Sequence, residues 1–239
     1  MNTETFFQQF ELLADAPNGI AKLRELILQL AVQGKLVPQN PDDEPASVLL
    51  SKIKAEKEKL IKEGKIKKSK KLKAIAPDEI PYDLPKGWEW VRMQDIFMVI
   101  TDGDHQAPPK VDSGIPFLVI GNVRDGYLNF DSTRYVPQKY YISIGENRTP
   151  RKGDILYTVV GSYGIPIIVD TEQNFCVQRH IAILKSSQYL DIYYLKYLLQ
   201  SELIFTQSTK CATGIAQKTV PLNGLRKIHT PLPPLAEQQ

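Results

Sequence analysis

Residues 153–170 read GDILYTVVGSYGIPIIVD, two short apolar runs joined by a turn. The runs 154–160 and 164–169 are rich in Val, Ile and Tyr, and Gly and Asp bound them, which is typical of strands. Between them, residues 161–164 have the composition of a hairpin turn, with Tyr163 expected at its exposed tip. The stretch therefore predicts two linked strands in a domain that contains β-structure.

The pattern of short strands and turns extends outward from this stretch to residue 80 on one side. Further strands are predicted at 96–100, 115–120, 127–136 and 175–184, and another at 215–220. Helical spacing of apolar residues returns at 191–200 and 202–209. Residues 231–239 indicate a turn that feeds a further helix. We expect an α/β (α+β) fold with one mixed-strand domain.

Residues 1–75 are predicted to be helical. Phe6, Phe7, Phe10 and Leu13 share one face of a first helix, and a second begins after Asn18 and ends before Gly34. A third helix begins at Pro45 and ends at Gly64. Its narrow apolar stripe resembles a coiled-coil seam and predicts a partner-binding surface, formed by Leu49, Ile53 and Leu60.

Charge is distributed unevenly along the 239 residues, whose formal net charge is +3. Residues 52–73 contain 11 Lys and 3 Glu, whereas residues 74–239 contain 16 basic and 17 acidic residues. The lysines of 65–73 are open to two interpretations, binding of a DNA backbone or a solvated linker. No apolar run of 18 residues and no signal peptide is found, so we expect a cytoplasmic protein without a membrane span.

The sequence contains one loose match to an enzyme motif. No nucleotide-binding Gly-rich loop is present, neither Pro-Pro pair has the neighbours of a DNA amino-methyltransferase motif, and no two His stand at metal spacing. Asp42, with Glu63, Gly64 and Lys65, fits a loose nuclease pattern. Two functions therefore stay open as alternatives to DNA recognition: a metal-dependent nuclease, and a helical adaptor that binds only protein.

Four stretches, in order, resemble the specificity subunits of type I restriction-modification systems. They are 23–39 (LRELILQLAVQGKLVPQ), 80–90 (IPYDLPKGWEW), 153–156 with 161–164 (GDIL, GSYG), and 214–218 with 231–238 (GIAQK, PLPPLAEQ). The resemblance implies helices at 1–75 that act as spacer and partner-binding region. It also implies a DNA target-recognition domain at 76–230 and the start of a further, truncated helix at 231–239.

The resemblance further implies a subunit that reads one half of a split sequence in double-stranded DNA and has no catalytic residue, metal or cofactor of its own. Methyltransferase subunits dock on its helices and bring S-adenosylmethionine, and a restriction (motor) subunit joins through the complex with ATP and Mg²⁺. One recognition domain is present where the family has two. A truncated chain and a natural half-subunit that self-associates both remain open.

Most candidate DNA contacts are polar or glycine-rich positions in loops, where side chains reach base edges and the backbone can approach closely. Arg179 and His180 fall within the predicted strand 175–184, where alternation places them on opposite faces. Gln and His can bond bases, Arg179 can read guanine, and Lys meets phosphates. A solvated turn is the alternative for the first loop, a plain hairpin for the second and a core imidazole for His180. The candidates are Thr101, Asp102, Gly103, Asp104, His105, Gln106, Lys110, Gly161, Ser162, Tyr163, Gly164, Arg179, His180, Gly214, Ile215, Ala216, Gln217 and Lys218.

Overall fold

The structure is a computed structural model that describes residues 16–105 and 107–239. Its α-helices are α1 Gly19–Val32, α2 Ala46–Lys62, α3 Met93–Ile96, α4 Gln138–Ser143, α5 Ile192–Gln200, α6 Glu202–Cys211 and α7 Leu222–Lys227. Its strands are β1 Glu89–Arg92, β2 Phe97–Asp102, β3 Ile115–Leu118, β4 Arg134–Val136, β5 Ile155–Thr158, β6 Pro166–Ile168, β7 Cys176–Val177, β8 Ile181–Ser186 and β9 His229–Leu232. The predicted α/β class is confirmed. The first predicted helix, with Phe6, Phe7, Phe10 and Leu13, lies outside the described residues.

The centre of the domain is a four-stranded antiparallel sheet in the order β2-β8-β5-β6. Side chains alternate along β5, so Ile155 and Tyr157 enter a core shared with the helices. Leu156 points the other way, into a second core with Leu118 of β3 and Phe175. Both faces of the sheet are therefore covered, by helices on one side and by the sheet β4-β3-β7 on the other.

Helix α2 packs against the domain through the stripe that was predicted to bind a partner. Leu49 and Ile53 are buried in the core that the sheet shares with the helices, which we call the main core. Leu60 is partly buried and packs against it. The Nζ atom of Lys57 donates to the carbonyl of Phe97 at 2.8 Å, and burial lowers the pKa of this ammonium. The expectation of an exposed seam is wrong, because the chain's own core occupies the apolar face.

Helix ends follow the predicted signals closely. Asn18 is the residue that precedes α1, although its side chain caps no backbone group, and Gly34 follows the helix with a φ of 66°. Gly64 follows α2 with a φ of 71°. The carboxylate of Asp191 accepts the N–H groups of Tyr193 and Tyr194 at the start of α5.

Strand boundaries depart from the sequence predictions in several places. The predicted strand 175–184 is divided between β7 and β8, which lie in different sheets, with a turn at 179–180. Residues 215–220 form no strand, and only the end of 127–136, β4, is one. The pair β1–β9 was not predicted, so residues 229–232 are a strand and a 3-10 helix follows at Leu235–Gln238. No described helix is long and apolar enough to span a membrane.

Candidate nucleic-acid interface

The predicted contact segments come together at one end of the four-stranded sheet. The last residue of β2, Asp102, pairs with Ala182 near the start of β8, and the last residue of β5, Thr158, pairs with Ile181. Loops that leave β2 and β5 and that precede β8 therefore emerge at the same end. We call the described residues of 101–105, 161–164, 178–180 and 213–218 the loop end.

Main-chain hydrogen bonds tie the segments of the loop end to one another and to the core. They run from the N–H of Gly103 to the carbonyl of Ile181 (3.3 Å), from Asp104 to Val177 (3.3 Å), from Val159 to His180 (3.0 Å) and from Gly161 to Lys218 (2.9 Å). Because these bonds join backbone groups, each loop has a fixed base. The side chains at its tip are then presented from a rigid scaffold.

In the first segment, most of the candidates hold the loop in place. Gly103 is buried, and a Cβ atom there would lie 1.9 Å from the carbonyl oxygen of Val177. The carboxylate of Asp104 accepts the hydroxyl proton of Tyr140, whose pKa burial raises. Thr101 is a half-buried residue of β2.

His105 is the exposed polar side chain of this segment, and a second exposed group, Lys110, lies beyond it in the sequence. The carboxylate of Asp102 lies 2.8 Å from Nε2 of His105, and this contact orients the exposed imidazole. Gln106 lies outside the described residues, so its prediction as a base contact stays untested.

Two residues that the sequence analysis missed support this loop. Arg148 donates through Nε to the carbonyl of Asp102 at 3.1 Å and through Nη2 to that of Gly103, and the hydroxyl of Tyr140 donates to Asp104. Both lie some forty residues from their partners in the chain. No local pattern marks such a contact, since neither residue belongs to a motif.

The turn 161–164 differs from its prediction in the position of the tyrosine. Tyr163 was expected at an exposed tip, but its ring stacks on Phe205 of α6 with centroids 5.6 Å apart, and its hydroxyl lies 2.9 Å from that of Thr209. Gly164, with a φ of 95°, leaves room for the same Phe205. Ser162 and Gly161 remain exposed. Tyr163 thus packs the turn against α6.

Arg179 lies in the turn between β7 and β8, not in a strand, so the predicted alternation with His180 is wrong. The guanidinium is exposed, and its Nε atom lies 3.5 Å from Nε2 of His180. Within the described residues it has no carboxylate partner. Partial burial and the positive charge of Arg179 lower the pKa of His180, which favours the neutral imidazole. The pair presents a free cationic fork beside an uncharged ring.

The segment 213–219 is a closed loop whose apolar tip projects into solvent. Thr213 and Thr219 exchange two backbone hydrogen bonds of 2.8 Å. Gly214 has a φ of 96°, and a Cβ there would lie 2.4 Å from the carbonyl oxygen of Gln217. Ile215 is fully exposed. The remaining tip residues are exposed too: Ala216, Gln217 and Lys218.

The loose nuclease pattern does not form one site. Asp42 precedes α2 and Glu63 follows it, so the 17-residue helix separates them by about 25 Å. Glu63 is held by Lys65 at 2.8 Å, which lowers the pKa of its carboxyl. Among the described residues, no three His, Cys, Asp or Glu side chains are grouped so that they could hold a metal ion.

The chain is similar in sequence to known specificity subunits of type I restriction enzymes. The specificity subunit of the type I restriction enzyme EcoEI of Escherichia coli is 36% identical over 241 residues, which cover 92% of this chain and 37% of that protein. The EcoAI specificity subunit of Escherichia coli is 39% identical over 152 residues, 64% of this chain and 26% of that protein. The chain thus spans about a third of the length of these relatives.

A solved HsdS subunit from Thermoanaerobacter tengcongensis aligns over 97% of this chain and 46% of that chain, at 20% identity and a TM-score of 0.46. A family model described as the type I restriction modification DNA specificity domain matches residues 85–239. The matched region covers most of the chain and includes every segment of the loop end. This protein belongs to the family of type I restriction-modification DNA specificity domains.

Proposed function

We propose that this chain is a DNA-reading subunit that recognises one half of a bipartite target in double-stranded DNA through its loop end. The observation that carries the proposal is the convergence of four separate segments at one end of a rigid sheet. Binding sites are commonly built in this way, from loops that a rigid scaffold positions. Residues 76–230 would be the recognition domain, with the helices of 1–75 before it.

The exposed side chains of the loop end divide by the contact that each can make. Arg179 presents two parallel donors that fit the O6 and N7 acceptors of guanine, and the amide of Gln217 fits adenine. Lys218, and Lys110 outside the loop end, are point charges suited to phosphates. Ile215, as a bare apolar group, suits the methyl group of thymine.

The chemistry that follows recognition would reside on other subunits. Methyltransferase subunits would bring S-adenosylmethionine, and a restriction (motor) subunit would bring ATP and Mg²⁺. This chain would act in the cytoplasm without a catalytic residue. Since α2 is buried against the domain, α1 is the better docking element, because it leaves Ile20, Leu26 and Ile27 exposed. Self-association would bring a second recognition domain into the complex.

Methylome mapping of cells that express this chain with methyltransferase subunits tests the proposal. We expect methylation at one bipartite motif that is absent when the chain is omitted. The matched comparison is the methyltransferase with a chain that carries Arg179→Ala and Gln217→Ala, for which the motif should lose definition in every half-site that this chain reads. Methylation that is the same with and without the chain would refute DNA reading. Cleavage of plasmid by the pure chain with Mg²⁺ would favour the nuclease alternative instead.

A further inference from the structure

The lysine-rich segment 65–73, which we call the lysine arm, is fixed to the recognition domain along its length. Ile66 is buried, which anchors the start of the arm. Side chains of the domain donate to carbonyls of the arm: Asn147 to Lys65 at 2.7 Å, Gln94 to Lys70 at 2.9 Å and Arg92 to Lys73 at 3.1 Å. The arm is therefore a docked element, and a free linker does not describe it.

These anchors use the backbone of the arm and leave its ammonium groups in solvent. Lys67, Lys68 and Lys70 are exposed, and none of them has an ion pair or a side-chain hydrogen bond within the described part of the chain. By contrast, Lys65 pairs with Glu63 at 2.8 Å. Because the backbone anchors the arm, the side chains of these lysines are not needed for packing, and their charges face solvent.

The arm forms one wall of a groove that runs along the edge strand β2. The 3-10 helix Glu146–Arg148 and part of α7 also line it. Six cationic residues line this groove against a single acidic one, Glu146, among the described residues; the six are Lys67, Lys68, Lys70, Arg148, Arg226 and Lys227. The lining also includes Thr101, the first residue of the loop end, so the groove borders the loop end.

We propose that the lysine arm and this groove hold the phosphate backbone of the duplex whose bases the loop end reads. Residues 74–239 carry 16 basic and 17 acidic residues, so the recognition domain has no overall positive charge, and its phosphate contacts depend on where cations cluster. The lysine arm adds unpaired cations next to the loop end. The inference rests on the proposed function and assigns sequence-independent binding to the arm.

The test uses the triple variant Lys67→Gln, Lys68→Gln, Lys70→Gln. Its control removes three exposed lysines that lie outside the groove and have no ion pair with any described residue, through Lys22→Gln, Lys54→Gln and Lys86→Gln. Fluorescence anisotropy measures binding of each purified full chain to a labelled duplex of random sequence at several KCl concentrations. The plot of log K against log[KCl] should flatten by about two to three units in the groove variant and by less than one unit in the control.

The same variants are then expressed with methyltransferase subunits for methylome mapping. The proposal expects an unchanged motif with fewer sites methylated in the groove variant. A parental salt slope in that variant, or a changed motif, overturns the role of the arm while DNA reading stands. Loss of association with the methyltransferase at an unchanged salt slope also overturns it and assigns the arm to a protein partner. A parent chain that directs no motif at all refutes the proposed function itself.

Discussion

At the scale of single residues, Arg179 and Lys218 differ in how well they can distinguish one base pair from another. A guanidinium has a plane and two parallel donors, so its hydrogen bonds depend on the acceptor pattern of one base. An ammonium rotates freely and meets any phosphate equally well. Both side chains are exposed at the loop end, so geometry allows each of these roles.

Arg179→Ala should cost about 1–3 kcal/mol of discrimination at one base position, because two hydrogen bonds to a single base are lost. Competition binding with duplexes substituted one position at a time measures this. Lys218→Ala should weaken binding to all sequences alike. Arg124→Ala, which removes an exposed arginine outside the loop end, is the control. Equal losses across all positions for Arg179→Ala would mean that this residue holds phosphate and does not read a base.

Gly103 sets the path of the first loop, because its neighbour leaves no room for a side chain. Gly103→Ala places a methyl group 1.9 Å from the carbonyl oxygen of Val177, so the backbone must shift. We expect a loss of about 1–3 kcal/mol in the free energy of unfolding. The control Gly121→Ala meets nothing within 4 Å. Thermal melting followed by circular dichroism compares them, and equal melting temperatures would contradict the crowding at Gly103.

At the scale of elements, the helices α1, α2, α5 and α6 were predicted, whereas the short helices α3, α4 and α7 and several strands were not. Caps and glycines mark helix ends locally, as Gly34 and Gly64 do. The division of 175–184 into β7 and β8 depends on pairing with distant partners: β7 with β3, and β8 with β2 and β5. Apolar periodicity carries no information about such partners, so one strand was predicted where two exist.

The burial of α2 could not be predicted for the same reason. A narrow apolar stripe such as Leu49 and Ile53 fits a partner helix and an intramolecular core equally well. The loops that follow β2 and β5 were nevertheless predicted from residue types, since glycine and polar side chains between apolar runs mark turns. Their meeting at one end of the sheet follows only from the register of β2, β5 and β8.

Ile53→Ala should lower the free energy of unfolding by about 2–5 kcal/mol, because it leaves a cavity in the main core. Val48→Ala removes apolar atoms from an exposed position on the same helix and should change stability little. Urea unfolding followed by tryptophan fluorescence distinguishes the two, since Trp88 and Trp90 both lie in the domain. If both variants unfold at the urea concentration of the parent, α2 is not docked as described.

At the scale of the whole molecule, the described residues contain one loop end, fixed to one helical region through α2. Reading two half-sites then requires two such ends. When identical subunits assemble with two-fold symmetry, the half-sites that they contact are related by the same symmetry. The geometry of the complex therefore constrains the form of its target.

When this chain is the only specificity protein in a cell with methyltransferase subunits, we expect the methylated motif to be an inverted repeat with a fixed spacer. Methylome sequencing determines the motif, and light scattering determines the number of chains in the purified complex. Two copies with an inverted repeat agree with self-association. A motif without that symmetry, with one copy per complex, contradicts it.

The main-chain bonds that fix the loop end affect how the sequence of such a protein can change during evolution. Gly103, Gly161 and Val159 bond other segments through backbone atoms, which are the same whatever side chains surround them. Mutations at the exposed tips, such as Arg179 and Gln217, should therefore alter stability by no more than about 0.5 kcal/mol. A lineage can thus acquire a new target by drift at a few exposed positions, while selection for folding acts on an inherited core that stays the same.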